Sequence, residues 1–462
     1  MNNSSIINKK KNLEIFLIIS WIICLLSIGV NFENPLSSVY QDKKNYILSY
    51  INLFRYLGPT ILLPLLTYFF FKFEKKIFPF LGFFFCYGLW QLIIFILLKK
   101  NLDFLQNWQL IFNLFSILLI FHLANSFNVD FEKKLLFIFV FFIFVILLYF
   151  SYEVLLDYIK TKELLYLYHS KVLHPNTKIF EQEVPRVTGL SRMAVIIFYF
   201  IFFIKDNLNN KKLVISCTLF LCLLSVLIYA FNTRTGLLGM IILIIFYIFF
   251  IKKLFFEKIF NILIIIIIPI IIFETINYNK NYMKDNLSIN NNNLPINDKN
   301  LFINNRLVHN QTSSGRLEIW GNSLEIIKEN KIIFGTGPQA DRVLLGDYLK
   351  KNKLYKNFIV YENNSSNAII YSYLCGGIIS LSFLFFIYFL IFKKIFANLF
   401  LKNNIHNNVV INFSITTLLF LTIRTFFENG YAIFGIDFCL CCLCYFMLIK
   451  SENFPKKISS ET

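Results

Sequence analysis

Arginine is scarce in this chain, and the motifs of soluble nucleotide-dependent enzymes are missing. Of its 45 basic residues only eight are arginines, and the rest are lysines. The sequence has no Walker-type phosphate loop, no dinucleotide fingerprint and no paired aspartates in a loop between apolar stretches. All nine cysteines fall within apolar stretches, so they form no disulfide framework and no metal spacing with histidine. We therefore expect no cofactor and no metal.

Apolar and aromatic side chains are what the chain has in abundance. They make up 57% and 18% of its 462 residues, and the mean hydropathy is positive. This composition is typical of a multi-span membrane protein. A bilayer core about 30 Å thick needs roughly 20 mostly apolar residues per helix. Twelve stretches approach that length, and the sixth and eighth of them are short. They cover residues 13–30, 50–72, 77–98, 104–123, 135–156, 188–204, 213–231, 236–251, 258–276, 367–392, 408–424 and 431–449.

This pattern predicts an all-α, polytopic membrane protein of about twelve transmembrane helices. A large, partly helical loop separates helices 9 and 10. We expect helices 1–9 in residues 1–276, the loop in residues 277–366, and helices 10–12 with a tail in residues 367–462. Within the loop, apolar residues recur at helical spacing and predict a helix whose stripe lies on the outer surface of the membrane domain. The stripe consists of Leu317, Trp320, Leu324 and Ile327.

The lysines predict how the helices are oriented. If the amino terminus is cytoplasmic, every inner connection carries a lysine cluster, as the positive-inside rule expects. Both termini are then cytoplasmic, and the loop is on the outer side. The net charge of +18 is largely a topology signal. It does not indicate nucleic-acid binding, because no soluble domain shows a basic face with interleaved aromatics.

The arginines follow a different pattern from the lysines. On this topology none of the eight lies in an inner connection; seven lie in outer loops or at outer span ends, and Arg55 lies in the outer half of span 2. A guanidinium group binds phosphate bidentately and stays charged in a poorly hydrated site. The pattern favours an anionic, phosphate-bearing ligand on the outer face. Ordinary salt bridges and snorkelling to lipid headgroups are the alternative.

Individual arginines sharpen this prediction. Arg186 and Arg192 lie within seven residues of each other beside span 6, which predicts that the two side chains bind an anion together. Arg234 lies in a very short outer connection, where a tight turn would hold its guanidinium at the mouth of the helix bundle. We expect Arg234 to be the strongest single candidate, with a snorkelling arginine at a helix end as the alternative.

The last two spans contain three more charged residues of interest. Arg424 and Glu428 are four residues apart, so they can pair if the helix continues. Asp437 lies within span 12, where a carboxylate needs a partner.

Taken in order, these residues resemble the O-antigen ligase and O-antigen polymerase superfamily of bacterial membrane glycosyltransferases. The resemblance covers roughly residues 185–440 and rests on five short motifs. Each motif alone is unspecific, but their order on a twelve-span topology with a late, large outer loop is typical of the family. The motifs are Arg-x-x-Gly (Arg186, Gly189), Thr-Arg-Thr-Gly (Arg234), Gly-Arg…Trp (Gly315, Arg316, Trp320), Phe-Gly-x-Gly (Gly335, Gly337) and Arg-x-x-x-Glu (Arg424, Glu428).

The resemblance implies a GT-C-like fold, a location in the bacterial inner membrane and a periplasmic reaction. A glycan on undecaprenyl diphosphate would pass to a sugar hydroxyl, which belongs to lipid A–core in the ligases and to another lipid-linked repeat in the polymerases. Arg186, Arg192 and Arg234 would hold the diphosphate, and Arg316 would approach it from the loop helix. Fixed guanidinium groups would stabilise the departing charge without a metal.

One position departs from the family pattern. Ligases of this family commonly carry a histidine followed by Asn, Ser or Gln, and then a glycine after nine intervening residues. Here Asn367 and Gly377 keep the spacing, but Ser366 stands at the histidine position. The resemblance gives Ser366 and Asn367 a catalytic role, yet a serine hydroxyl is a poor general base near neutral pH. Three interpretations remain open: a base elsewhere in the loop (His309 or Glu362), undemanding proton removal, or a polymerase or divergent member of the family.

A transporter or flippase of lipid-linked sugars is the alternative from another class. Such a protein would also need outer cations, and it would carry charge deep in several spans to line a path across the membrane. The spans here hold few charges beyond Arg55 and Asp437. The sequence therefore favours an enzyme over a transporter.

Overall fold

The structure is a computed structural model that describes most, but not all, of the chain. It covers residues 3–28, 46–73, 81–97, 104–127, 129–161, 187–231, 233–251, 255–272, 274–275, 316–351, 365–400, 408–432 and 434–453. Every regular element in these ranges is a helix, in agreement with the all-α prediction.

Nine of the described helices precede the outer loop. They are α1 (Asn3–Ile28), α2 (Tyr46–Phe73), α3 (Gly82–Leu97), α4 (Phe104–Ala124), α5 (Val129–Thr161), α6 (Val187–Lys205), α7 (Lys211–Ala230), α8 (Arg234–Phe250) and α9 (Phe255–Ile272, with a π-helical turn at Leu263–Ile267). Two described helices lie in the loop, and three follow it. They are α10 (Arg316–Glu329), α11 (Ala340–Lys351), α12 (Ala368–Phe400), α13 (Val409–Arg424) and α14 (Ile436–Asn453).

Five of these helices are long and apolar enough to cross a membrane, judged over the described residues. They span Lys10–Ile28, Asn107–Ala124, Lys211–Ala230, Phe255–Ile272 and Ala368–Phe400. Four shorter apolar helices accompany them. Each of the twelve predicted spans overlaps one helix, while the number of crossings and the three-part division of the chain stay predictions. The composition and lengths of the helices fit a membrane protein.

Helix α14 lies at the centre of the bundle. Every side chain from Ile436 to Leu448 is buried, as expected of a helix that is apolar on all sides. Phe446 stacks on Phe121 of α4 at a centroid distance of 5.2 Å. Four cysteines of α14 are buried free thiols and act as small packing residues: Cys439, Cys441, Cys442 and Cys444.

Helices α6 and α14 each carry a lysine in their last turn and another charged residue near their first turn. Helix α6 carries Arg192 near its first turn and Lys205 at its last residue, and α14 carries Asp437 in its first turn and Lys450 in its last. Lys450 Nζ lies 2.8 Å from Glu132 Oε1 of α5. The end of the bundle with Arg192 and Asp437 is termed the arginine end.

Helix α12 is broken at Gly377, whose backbone is left-handed in φ (φ +66°, ψ −164°). A turn of the outer loop, residues 332–337, fills the break and is termed the insertion turn. The Thr336 amide donates a 3.0 Å hydrogen bond to the Leu374 carbonyl, and the Gly337 amide donates a 2.9 Å bond to the next carbonyl of α12. The turn thereby replaces hydrogen bonds that the break removes from the helix.

Glycine is required on both sides of this contact. A Cβ atom at Gly335, where φ is +91°, would lie 2.5 Å from the Cys375 carbonyl oxygen. A Cβ atom at Gly377 would lie 2.6 Å from the Cα atom of Phe334. The Phe-Gly-x-Gly motif and the glycine of α12 are therefore two halves of one backbone contact, which fixes the loop on the bundle.

Candidate functional site

Helices α6 and α8 meet at the arginine end through small residues. Thr233 is the N-cap of α8: its hydroxyl accepts a 3.1 Å hydrogen bond from the Gly236 amide and donates a 2.6 Å bond to Ser191 Oγ of α6. A Cβ atom at Gly236 would overlap Ser191 Oγ. The two helices are in contact here, so the start of α8 with Arg234 lies beside the turn of α6 with Arg192.

Arg192, Arg424 and Asp437 form a buried ionic triad. Arg192 Nη1 lies 2.7 Å from Asp437 Oδ1, and Arg424 Nη1 pairs with the other carboxylate oxygen. The side chains of Arg424 and Asp437 are 7% and 6% exposed. Three helices supply the triad, because α13 ends at Arg424 and α14 begins just before Asp437. The prediction that Asp437 needs a partner is confirmed.

A second ion pair lies beside the triad and joins the outer loop to the bundle. Arg316 is the first residue of α10, and its Nη2 atom lies 3.1 Å from Glu428 Oε1. The predicted helical pair of Arg424 with Glu428 is wrong, because α13 ends at Arg424 and Thr425 caps it, so the chain turns before Glu428. The Glu428 carboxylate is close enough to Arg192 for its charge to act on that guanidinium.

These five side chains are termed the arginine cluster: Arg192, Arg316, Arg424, Glu428 and Asp437. Three cations and two carboxylates leave the cluster one positive charge in excess. The Nε atoms of Arg192 and Arg424 are buried and have no hydrogen-bond partner among the described residues. A buried guanidinium N–H without an acceptor is unfavourable. The cluster can therefore gain both charge balance and hydrogen bonds from an anion.

The loop helix that carries Arg316 is rotated relative to the prediction. In α10 the buried residues are Ser323 and Ile326, whereas Leu317 and Leu324 are 63% and 57% exposed. Leu317 and Leu324 of the predicted stripe therefore do not pack on the bundle, whereas Ile327 is partly buried against it. In this orientation Arg316, at the start of the helix, forms its ion pair with Glu428.

The turn that precedes α12 contains Ser366 and Asn367. Asn367 Oδ1 accepts hydrogen bonds from the Ile369 amide (2.8 Å) and the Ile370 amide (3.2 Å), so Asn367 is the N-cap of α12. Its Nδ2 atom donates a 2.9 Å bond to the Phe426 carbonyl. Ser366 is partly exposed and has a left-handed backbone with φ +46°, which is uncommon for a non-glycine residue.

A buried polar network fixes this turn to the loop that carries Glu428. Asp341 Oδ2 accepts hydrogen bonds from the Ser365 amide (2.9 Å) and from Ser365 Oγ (3.1 Å). Asn429 Oδ1 accepts a 2.8 Å bond from the Asn367 amide and a 3.2 Å bond from Ser365 Oγ. Burial raises the pKa of the Asp341 carboxyl above its usual range, although the Ser365 amide acts in the opposite direction. Sequence reasoning missed Asp341, Ser365 and Asn429, whose only visible signal was an Asn-Gly turn after Glu428.

The structure brings some of the predicted site residues together and places others apart. Arg192, Arg316, Arg424 and Glu428 are brought together in the arginine cluster. Arg234 is exposed at the start of α8, and Ser366 and Asn367 are tied to the cluster through Asn429. Arg55 lies in α2. The remaining predicted residues lie outside the described residues: Arg186, His309 and Glu362.

The fold and this site define a helical membrane protein with guanidinium groups concentrated at one end. Residues 218–385, from α7 into α12, match the family model described as O-Antigen ligase. No curated protein matches the chain. This match over residues 218–385 confirms the resemblance to the O-antigen ligase superfamily. The matched segment includes Arg234, Arg316 and Ser366.

Proposed function

We propose that this protein transfers a glycan from undecaprenyl diphosphate to a sugar hydroxyl of lipid A–core, as an O-antigen ligase does. The family match supports a ligase- or polymerase-like glycosyltransferase. The observation that carries the proposal is the arginine cluster, with its excess positive charge and its unpartnered guanidinium N–H groups within the described residues. A diphosphate supplies the charge and the acceptor oxygens that such a cluster lacks.

The reaction makes one bond and breaks another at the anomeric carbon of the donor sugar. The acceptor oxygen bonds to that carbon while the bond from the carbon to the diphosphate oxygen breaks, and the acceptor loses its proton. Negative charge grows on the departing diphosphate. Fixed guanidinium groups in poorly hydrated surroundings stabilise that charge without reorganising, and in this proposal no metal is needed.

We assign the diphosphate to Arg186, Arg192 and Arg234, and the growing charge of the leaving group to Arg316. Arg424 and Asp437 have a positioning role. Their ion pair is buried, and Asp437 also pairs with Arg192 and holds it in place. The Arg316–Glu428 pair is partly exposed, with each side chain 21% accessible. Arg316 can therefore exchange Glu428 for a phosphate oxygen at a small cost.

Ser366 is the residue that we assign to the acceptor hydroxyl. It orients the acceptor, and Asn367 acts as a positioning residue through its capping bonds. His309 and Glu362 are the candidates for the general base. The serine at the histidine position favours the second candidate function, a polymerase that joins lipid-linked repeat units.

The proposed setting is the bacterial inner membrane, with both termini cytoplasmic and the arginine end in the periplasm. The proposed partners are the lipid-linked glycan, lipid A–core or a lipid-linked acceptor, and membrane lipids.

Deletion of the gene followed by analysis of the surface glycan tests the proposal and separates the two reactions. Uncapped core with polymer left on the lipid carrier is expected for a ligase. A single repeat on the core would identify a polymerase, and an unchanged glycan would exclude both. Transfer by the purified protein in the presence of a chelator tests the metal-independent step.

A further inference from the structure

The insertion turn exposes two large apolar side chains, although it belongs to the outer loop. Ile333 is 58% exposed and Phe334 is 64% exposed. Such a pair is stabilised by apolar surroundings and not by water. We propose that the insertion turn penetrates the hydrocarbon layer of the bilayer, where Ile333 and Phe334 contact the acyl chains of lipids.

The depth of the turn follows first from its bond to α12. The Ile378 amide donates a 2.9 Å hydrogen bond to the Ile333 carbonyl, so Ile333 is level with Ile378. Helix α12 then continues to Lys393 and Lys394, whose charges mark one water boundary. A core of about 30 Å takes roughly 20 residues at about 1.5 Å each, which sets the opposite boundary near Tyr373. Ile378 therefore lies roughly 8 Å inside that boundary.

Helix α3 gives an independent measure of the same depth. Trp90 Nε1 donates a 2.8 Å hydrogen bond to the Gly376 carbonyl at the break, and the Phe83 ring lies 4.2 Å from the Phe386 ring. The two helices are therefore antiparallel, and α3 runs on from Trp90 to Leu97, about 10 Å toward the arginine end. Exposed side chains on this last part of α3 are apolar: Ile93, Ile96 and Leu97. An apolar, lipid-type surface thus extends beyond the break.

Exposed apolar side chains lie on both sides of the turn and favour lipid as its occupant. Ile378 is exposed beside Ile333, and the same helix exposes Phe385 and Phe389 further toward its lysines. This surface belongs to α12, one of the helices long and apolar enough to cross a membrane. Acyl chains that cover α12 therefore also cover the turn embedded in it.

The proposed contact between the insertion turn and lipid has a consequence for helix α10, which carries Arg316. Helix α10 begins at Arg316, which is held by Glu428, and leads at its other end into the insertion turn. Lipid would hold one end of the helix and an ion pair the other.

Site-directed spin labelling measures the depth directly. A nitroxide is attached to the Phe334→Cys variant of the full chain in vesicles of phosphatidylethanolamine and phosphatidylglycerol. Its accessibility to oxygen, which partitions into hydrocarbon, is compared with that to a water-soluble nickel chelate. Lys328→Cys, exposed on α10, is the matched control for water, and Phe389→Cys on α12 is the control for lipid. The unsubstituted protein, with its nine cysteines, gives the background signal.

The expected ratio of oxygen to nickel accessibility at position 334 is several-fold above that at 328 and close to that at 389. Ile333→Cys provides a second position, because the backbone carbonyl and not the side chain of Ile333 makes the hydrogen bond to α12. A ratio at both positions equal to that at 328 overturns the proposal. Low accessibility to both reagents also overturns it, since that result means burial against protein. The measurement does not depend on glycan transfer, so it stands or fails separately from the proposed reaction.

Discussion

Thr233 of α8 donates its hydroxyl hydrogen to Ser191 of α6 over 2.6 Å, and each of these residues directly precedes an arginine of the proposed site. The separation of Arg192 and Arg234 is therefore set by a contact between two small side chains. Gly236 permits this contact, because a side chain there would meet both Ser191 Oγ and Ile228.

Replacement of Gly236 by alanine is expected to destabilise the protein. Alanine ordinarily stabilises a helix interior by roughly 1 kcal/mol, but overpacking at a helix contact costs about 1–3 kcal/mol. The thermal unfolding midpoint of the purified protein measures the balance. Gly321→Ala is the matched control, because a Cβ atom there meets nothing within 4 Å and the variant is expected to be more stable. Equal effects of the two substitutions would contradict the close contact of α6 and α8.

Gly377→Ala is expected to prevent the insertion turn from docking. The backbone of Gly377 lies in a region that is essentially restricted to glycine and costs another residue about 1–3 kcal/mol, and the new Cβ atom also collides with the backbone of Phe334. We expect loss of the folded protein, or an unfolding midpoint far below that of the wild type. Gly435→Ala serves as the control, since nothing lies within 4 Å of its added atom. A variant at position 377 as stable as this control would show that the break is not required.

Asp437→Asn removes the carboxylate from between two buried guanidinium groups. Leaving such charges without their partner costs about 3–5 kcal/mol, so a large drop in unfolding free energy is expected. Glu428→Gln is the contrasting variant, because its pair with Arg316 is partly exposed and contributes about 1 kcal/mol or less. Similar losses for the two variants would mean that the triad is not buried as described.

Arg316→Ala separates catalysis from folding. Its effect on stability is expected to stay near 1 kcal/mol, whereas glycan transfer is expected to fall by about 100-fold or more, as when a donor to a developing anion is removed. Arg316→Lys keeps the charge and loses the planar fork, so it is expected to restore transfer only in part. Lys328→Ala on the same helix controls for removal of a cation. Full activity of the Arg316 variant in a transfer assay would remove Arg316 from the proposed site.

Asp341 makes the stability of the network depend on pH. Because burial raises its pKa, the folded protein binds this proton more tightly than the unfolded chain does. The stability of the wild type relative to Asp341→Asn is therefore greatest at low pH. It falls as the pH rises from about 4, the usual pKa in an unfolded chain, through the raised value. The unfolding midpoints of the wild type and of Asp341→Asn, measured at several pH values from about 4 to neutrality, give this difference. Asp347→Asn removes an exposed carboxylate of α11 and controls for the lost charge. A difference that does not change with pH would contradict the burial of Asp341.

The periodic and compositional features of the chain were predictable from its sequence. The helices around the apolar stretches follow from hydropathy, and the need of Asp437 for a partner follows from the cost of a lone buried carboxylate. The gathering of arginines at one end follows from their distribution relative to the lysines.

Contacts between distant segments were not predictable in this way. The rotation of α10, which exposes Leu317 and Leu324, depends on residues that lie far away in the chain. The partner of Arg424 is another example, because local spacing pointed to Glu428, whereas the end of α13 and the start of α14 deliver Asp437. Asp341 and Asn429 have ordinary loop surroundings in the sequence, and only the fold shows that they are buried.

The break in α12 also sets an order of events during synthesis. The chain produces residues 332–337 before it produces the carbonyls of Leu374 and Cys375 that bind them. Until α12 is complete and in the membrane, the insertion turn has no docking site on the bundle. Helix α10, which bears Arg316, therefore reaches its docked position only after α12 has been inserted. A product truncated before α12 would carry Arg192, Arg234 and Arg316 but would lack both this docking site and Arg424.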